Sequence, residues 1–118
     1  MQIDRVAMIG AGSWGTALAL VLARKNIQVA LWDRDADHIA NLARDRENKR
    51  HQPDHPFPES LQVTGDLAAA VTGANCVVMV VPSHGYREVF RQLLPQLADG
   101  TLVVSAVKGI EVDSGMTM

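Results

Sequence analysis

Six residues near the start of the chain, Gly10-Ala11-Gly12-Ser13-Trp14-Gly15, have the types and spacing to hold an anion. They follow an apolar run, Val6-Ala7-Met8-Ile9, and lead into Thr16-Ala17-Leu18-Ala19-Leu20-Val21-Leu22-Ala23. That order predicts a strand, a tight turn and a helix. In such a unit Gly10 permits the sharp exit from the strand. Gly12 lets the backbone approach phosphate oxygens, and Gly15 lets the helix pack close to the strand. The unpaired N–H groups and the positive dipole end of the helix then face the anion. A glycine turn alone is a weak signal, but with these flanks it points to the pyrophosphate of a dinucleotide. The backbone N–H groups of Ser13 and Trp14, with the Ser13 hydroxyl, are the expected donors. Asp33 stands 18 residues after Gly15, close to the spacing at which an acid holds the ribose hydroxyls of NAD.

Other constellations carry less. His51 and His55 are four apart, but Pro53 lies between them, so no helix aligns them as a metal pair, and no metal site is expected. Cys76 sits in an apolar strand, Met8 and Met79 read as core filler, and no serine–histidine–acid order supports a hydrolase.

The elements that position these residues are legible from periodicity and breakers. Lys25-Asn26-Ile27 reads as a helix stop, with Ile27 folding back on the helix. Gln28-Val29-Ala30-Leu31-Trp32-Asp33 is a second strand. Asp35 is the expected N-cap of a helix over Ala36 to Arg46, and Arg44, Asp45 and Arg46 read as a solvated face. From Glu47 to Ser60 the prolines Pro53, Pro56 and Pro58 leave an extended surface loop. Leu61-Gln62-Val63-Thr64 alternates as a short strand. Asp66 caps a brief helix, Leu67 to Val71, stopped at Gly73. The apolar run Cys76 to Val81 reads as a central parallel strand covered on both faces, ending at Pro82. A helix from about Tyr86 to Leu94 turns Val89, Phe90, Leu93 and Leu94 inward, and Thr101 to Ala106 is a further buried strand before Lys108-Gly109. Strands alternating with helices predict an α/β fold, a Rossmann-type doubly wound parallel sheet forming a single domain over residues 1–118. Such sheets bind ligands at the carboxyl ends of their strands. Those ends carry Gly10–Gly15, Asp33-Arg34, Pro82-Ser83-His84 and Lys108-Gly109, so Pro82 and Ser83-His84 are expected to wall the cofactor cleft.

Composition narrows the class. The chain has 118 residues, 47% of them hydrophobic and 20% charged, and a formal net charge of −2, so nothing in its charge favours nucleic acid or an anionic membrane. A single cysteine excludes an internal disulfide and suits a reducing compartment. No basic-then-apolar leader is visible, and no apolar run approaches the roughly 20 residues that span a bilayer. A cytoplasmic location is the expectation.

Together the pieces become specific. Gly10 to Ala19, then Leu31-Trp32-Asp33-Arg34, then Val81-Pro82-Ser83-His84 with Arg87-Glu88-Val89, and lastly Lys108-Gly109-Ile110-Glu111, resemble the bacterial NAD(P)-dependent glycerol-3-phosphate dehydrogenase family in order and spacing. The loop pattern Asn48, Pro53, Pro56-Phe57-Pro58, Leu61 is similar to that family as well. There are departures. The family usually has an aromatic residue and leucine where this chain has His51-Gln52, and threonine where Val107 stands. The resemblance implies hydride transfer between NAD(P)H and dihydroxyacetone phosphate, giving sn-glycerol 3-phosphate for glycerophospholipid synthesis. It implies that Arg34 meets the adenosine end of the cofactor and favours NADP, while Asp33 disfavours it, so both cofactors stay open. It places Lys108 at the nicotinamide ribose or the substrate. The catalytic general acid–base lysine is expected beyond Met118, in a helical substrate domain, so this stretch alone is expected to be inactive. The implied partner is a small phosphorylated triose or glycerol, with a homodimer open to the full-length enzyme. The alternatives are a dinucleotide-binding module without catalysis, stand-alone or degenerate, and another two-domain hydroxy-acid dehydrogenase.

Overall fold

The apolar runs become five parallel strands of one sheet: β1 (Arg5–Ile9), β2 (Gln28–Trp32), β3 (Leu61–Thr64), β4 (Cys76–Met79) and β5 (Leu102–Ser105). This is a computed structural model, and it describes residues 3–81 and 83–105, with Ser83 and His84 described only as part of a helix. The expectations for Pro82, for the Ser83 and His84 side chains, and for residues 106–118 with Lys108 among them, lie outside the described residues.

The strand order is β3-β2-β1-β4-β5. The chain runs outward from β1 through β2 to β3, then crosses back to β4 and continues to β5. The order therefore reverses beside β1, and the crevice at the carboxyl ends of β1 and β4 is where such sheets take ligands. Register agrees: Ile9 pairs with Trp32 on one side and Met79 on the other.

Alternation along β1 builds two cores. Val6 and Met8 join Leu20, Leu31 and Leu42 on one face, under α1 (Ser13–Ala23) and α2 (Ala36–Asp45). Ala7 and Ile9 join Val71, Val77, Val89 and Leu93 on the other, under α3 (Leu67–Val71) and α4 (Ser83–Leu93). Helices cover both faces, as the doubly wound expectation requires. Burial pushes the Cys76 thiol pKa up, in keeping with its place in β4.

Local signals behave as their chemistry dictates. Asp35 accepts the N–H groups of Asp37 and His38, and Asp66 those of Ala68 and Ala69. Asn26 takes the left-handed conformation at φ 65°, and the Ile27 N–H returns to the Leu22 carbonyl.

Four expectations are corrected. The fourth helix begins at Ser83, not near Tyr86. Leu94 is 51% exposed, because Pro95 ends the α-helix and a 3-10 turn over Leu94–Gln96 rotates it off the inward face. β5 is not buried: like β3 it is an edge strand of the described sheet, and its Leu102 and Val104 are 45% and 41% exposed. Arg46 does not belong to a solvated face. At φ 53° it caps α2, and its guanidinium donates to the Pro58 and Leu61 carbonyls at 2.9 and 2.7 Å, lying 5.7 Å from the Phe57 ring centre.

Candidate functional site

The glycine turn leaves β1 under tight constraint. The Gly10 N–H donates to the Trp32 carbonyl at 2.7 Å, and its φ of +124° is closed to other residues. A Cβ there would lie 2.8 Å from the Val80 carbonyl carbon and oxygen. At Gly15 a Cβ would stand 1.9 Å from the Gly10 carbonyl oxygen, so α1 can pass this close to the strand only without a side chain. Gly12 is different. Among the described residues a Cβ built there meets nothing within 4 Å, and its backbone is extended at φ −80°. Packing among the described residues does not need glycine at this position, whereas an approaching anion would.

Gly12 is the N-cap of α1 and gives it no side-chain hydrogen bond; the first backbone bond into the turn runs from the Thr16 N–H to the Gly12 carbonyl. The first-turn N–H groups, those of Ser13 and Trp14 among them, are thus directed at open space among the described residues. Trp14 is 52% exposed, so its indole is not core filler. The residues present fit a pyrophosphate: backbone donors, a positive helix end and room for oxygens above Gly12.

Around this turn stand residues that sequence reasoning gave no role. Ala11 is pinned at both ends of its peptide groups. Its N–H donates to Asp33 Oδ2 at 2.9 Å, and its carbonyl receives His38 Nε2 at 2.9 Å, Asn48 Nδ2 at 3.1 Å and Thr16 Oγ1 at 3.4 Å. Asn48 Nδ2 also reaches Thr16 Oγ1 at 2.8 Å, and both residues are fully buried. Gln52 Nε2 donates to the Ser13 carbonyl at 3.1 Å. No short-range pattern marks Asn48, His38 or Gln52 for this work; only the loop likeness touched Asn48 and Gln52.

Asp33 also differs from its simplest reading. One carboxylate oxygen accepts from the Ala11 N–H and the other from the Asp35 N–H at 3.0 Å, so it braces the turn. The guanidinium of Arg34 lies across the start of α4, within 3.1–3.2 Å of where a Cβ on Gly85 would be. That puts a cation beside a helix N-terminus at the β2 strand end, two features that attract the same anion. The rings of His38 and His51 meet edge-on at 5.8 Å. Burial foremost, then the charges of His38 and Arg50, hold the His51 imidazolium pKa below the usual range, with Asp33 opposing. An open recess beside Arg24, Gln28 and Glu59 lies at the amino ends of β2 and β3, the end of the sheet remote from the glycine turn, and shares none of these residues.

Ser13, Trp14, Gly10, Gly12 and Gly15 are therefore brought together, with Arg34 on the next strand end. Among the described residues there is no cluster of His, Cys, Asp and Glu able to hold a metal, and no helix long and apolar enough to cross a membrane.

Comparison with known proteins agrees in sequence and in shape. Glycerol-3-phosphate dehydrogenase [NAD(P)+] of Idiomarina loihiensis is 49% identical over 115 residues, covering 98% of this chain and 34% of that protein. The enzyme of the same name from Desulfotalea psychrophila is 52% identical over 113 residues, covering 96% of this chain and 33% of its own. The crystal structure of glycerol-3-phosphate dehydrogenase from Coxiella burnetii superposes with a TM-score of 0.87 at 41% identity, over 91% of this chain and 33% of that one. The chain thus spans about a third of the length of these relatives. The family profile described as NAD-dependent glycerol-3-phosphate dehydrogenase N-terminus matches residues 5–118, and the chain belongs to that family.

Proposed function

We propose that this chain binds NAD(P)H and is the cofactor-holding domain of an enzyme that passes hydride between the nicotinamide and dihydroxyacetone phosphate, giving sn-glycerol 3-phosphate. The observation that carries the reading is Gly12, a glycine that packing among the described residues does not require, set at a helix start without a side-chain cap. In this reading the N–H groups of Ser13 and Trp14 hold the pyrophosphate, and Gly10 and Gly15 shape the turn. Arg34 meets the adenosine end, and Asp33 keeps the turn in place, so NADH and NADPH are both taken. Pro82 and Lys108 are assigned to the reacting end of the cleft on family likeness. When bound, the dinucleotide supplies the hydride, and the protein supplies position and charge. The proton-transferring lysine belongs to a further, helical domain, the product feeds glycerophospholipid synthesis, and the whole enzyme works in the cytoplasm as a homodimer.

Titration of the chain with NADH, by fluorescence or calorimetry, tests this. Gly12→Ala is expected to weaken binding more than tenfold, about 1.4 kcal/mol, because the methyl takes the space of phosphate oxygens. Its melting temperature is expected to fall much less than that of Gly10→Ala or Gly15→Ala, since no described atom lies within 4 Å of the new carbon and only the N-cap preference for glycine is lost. Equal affinities would overturn the assignment.

A further inference from the structure

We propose that Asn48 and Gln52, on the loop between α2 and β3, are positioning residues that set affinity for the pyrophosphate by holding and polarising two peptide groups of the glycine turn. The inference rests on the cofactor reading above and concerns this chain's own loop. Asn48 Nδ2 bonds the Ala11 carbonyl, whose peptide ends in the Gly12 N–H. Gln52 Nε2 bonds the Ser13 carbonyl, whose peptide ends in the Trp14 N–H. No described peptide bond is cis, so each C=O points opposite to the N–H of its own unit. With Asn48 and Gln52 on the two carbonyls, the Gly12 and Trp14 N–H groups point away from the side chains that hold them. A donor on the carbonyl of a peptide also strengthens that peptide's N–H as a donor in turn.

The loop is built to hold this geometry. Asn48 is fully buried, and its Oδ1 accepts the His51 N–H at 3.1 Å, which leaves Nδ2 to face Ala11 and Thr16. The Gln52 N–H returns to the Asn48 carbonyl at 2.7 Å, closing residues 48–52 into one turn. His38 supports the same Ala11 carbonyl from α2; with a carbonyl as partner, its Nε2 carries the proton. The contact to Ser13 depends on the Gln52 amide, which an apolar side chain of the same length does not provide.

The test compares wild type, Asn48→Ala and Gln52→Met for binding of NADH and of ADP-ribose, with melting temperature measured alongside. Met has the length of Gln without its donor, and Gln52 is partly exposed, so that variant keeps the test readable if Asn48→Ala fails to fold. Gln52→Met is expected to weaken both ligands about fivefold, the size of one hydrogen bond, at unchanged melting temperature. An upfield shift of the Trp14 amide proton, with the amides of β1 and β2 unmoved, is the spectroscopic sign of lost polarisation. Wild-type affinity in both variants overturns the inference and leaves the cofactor reading standing. Weaker binding that only tracks a lower melting temperature reduces the loop to a structural role and overturns it too. Failure of the wild type to bind NADH overturns the cofactor reading and this inference with it.

Discussion

Three glycines of one turn make separable predictions at the scale of single residues. Gly15→Ala puts a methyl 1.9 Å from the Gly10 carbonyl, a backbone atom that cannot rotate away. Gly10→Ala adds a methyl 2.8 Å from Val80 backbone at a φ of +124°. Each is expected to cost at least about 2 kcal/mol of stability in urea unfolding, in contrast to Gly12→Ala, which is expected to cost chiefly binding. His51 makes a prediction about pH. Its pKa is held down in the fold, chiefly by burial and then by the charges of His38 and Arg50, so the unfolded chain takes up the proton more readily. Its contribution to stability is therefore fully present above the ordinary histidine pKa of about 6.5 and is lost as pH falls through the lower folded value. His51→Gln is expected to flatten the part of the urea midpoint profile that falls below the ordinary histidine pKa, while the slope from carboxylates at more acid pH stays.

At the scale of elements, α2 links stability to the site. Asp35 accepts two first-turn N–H groups, both at 3.1 Å, and His38, which reaches the Ala11 carbonyl, stands in that same turn. Asp35→Ala is expected to lower stability by about 1 kcal/mol in chemical denaturation and to loosen the glycine turn as the helix start frays. This cap, the Asp66 cap, the Asn26 stop and the bounds of β3 and α3 were all legible in the chain, because each depends on partners only a few residues away. Arg46 was not. Its charge and its neighbours Arg44 and Asp45 suggest a solvated face, and Arg44 and Asp45 do form an exposed pair. The guanidinium of Arg46 instead finds carbonyls 12 and 15 residues on, which no helical pattern announces.

For the whole molecule, strand position sets the order of local stability. β1 lies between β2 and β4 with Ala7, Met8 and Ile9 wholly buried; of the two edge strands, β3 buries Leu61, whereas β5 carries exposed Leu102 and Val104. Amide hydrogen exchange is expected to be slowest in β1 and fastest, of the strands, in β5. Equal protection across the sheet would show that β5 is covered in solution. An outermost strand with apolar side chains in solvent is also prone to pair with other copies, and Val104→Lys is expected to raise solubility without lowering the melting temperature.

What the sequence by itself determined is the alternation of strands and helices, the glycine turn and the family likeness. These rest on periodicity, on backbone freedom at particular residues and on capping chemistry, all properties of short stretches. Only the tertiary structure decided that Asn48 meets Thr16 and Ala11 across 32 and 37 residues, that Asp33 braces Ala11, and that β5 stands at an edge of the described sheet. The physical reason is that such contacts depend on strand order and register. Those follow from packing both faces of the sheet at once, and no local pattern encodes which distant side chain will arrive beside a given carbonyl.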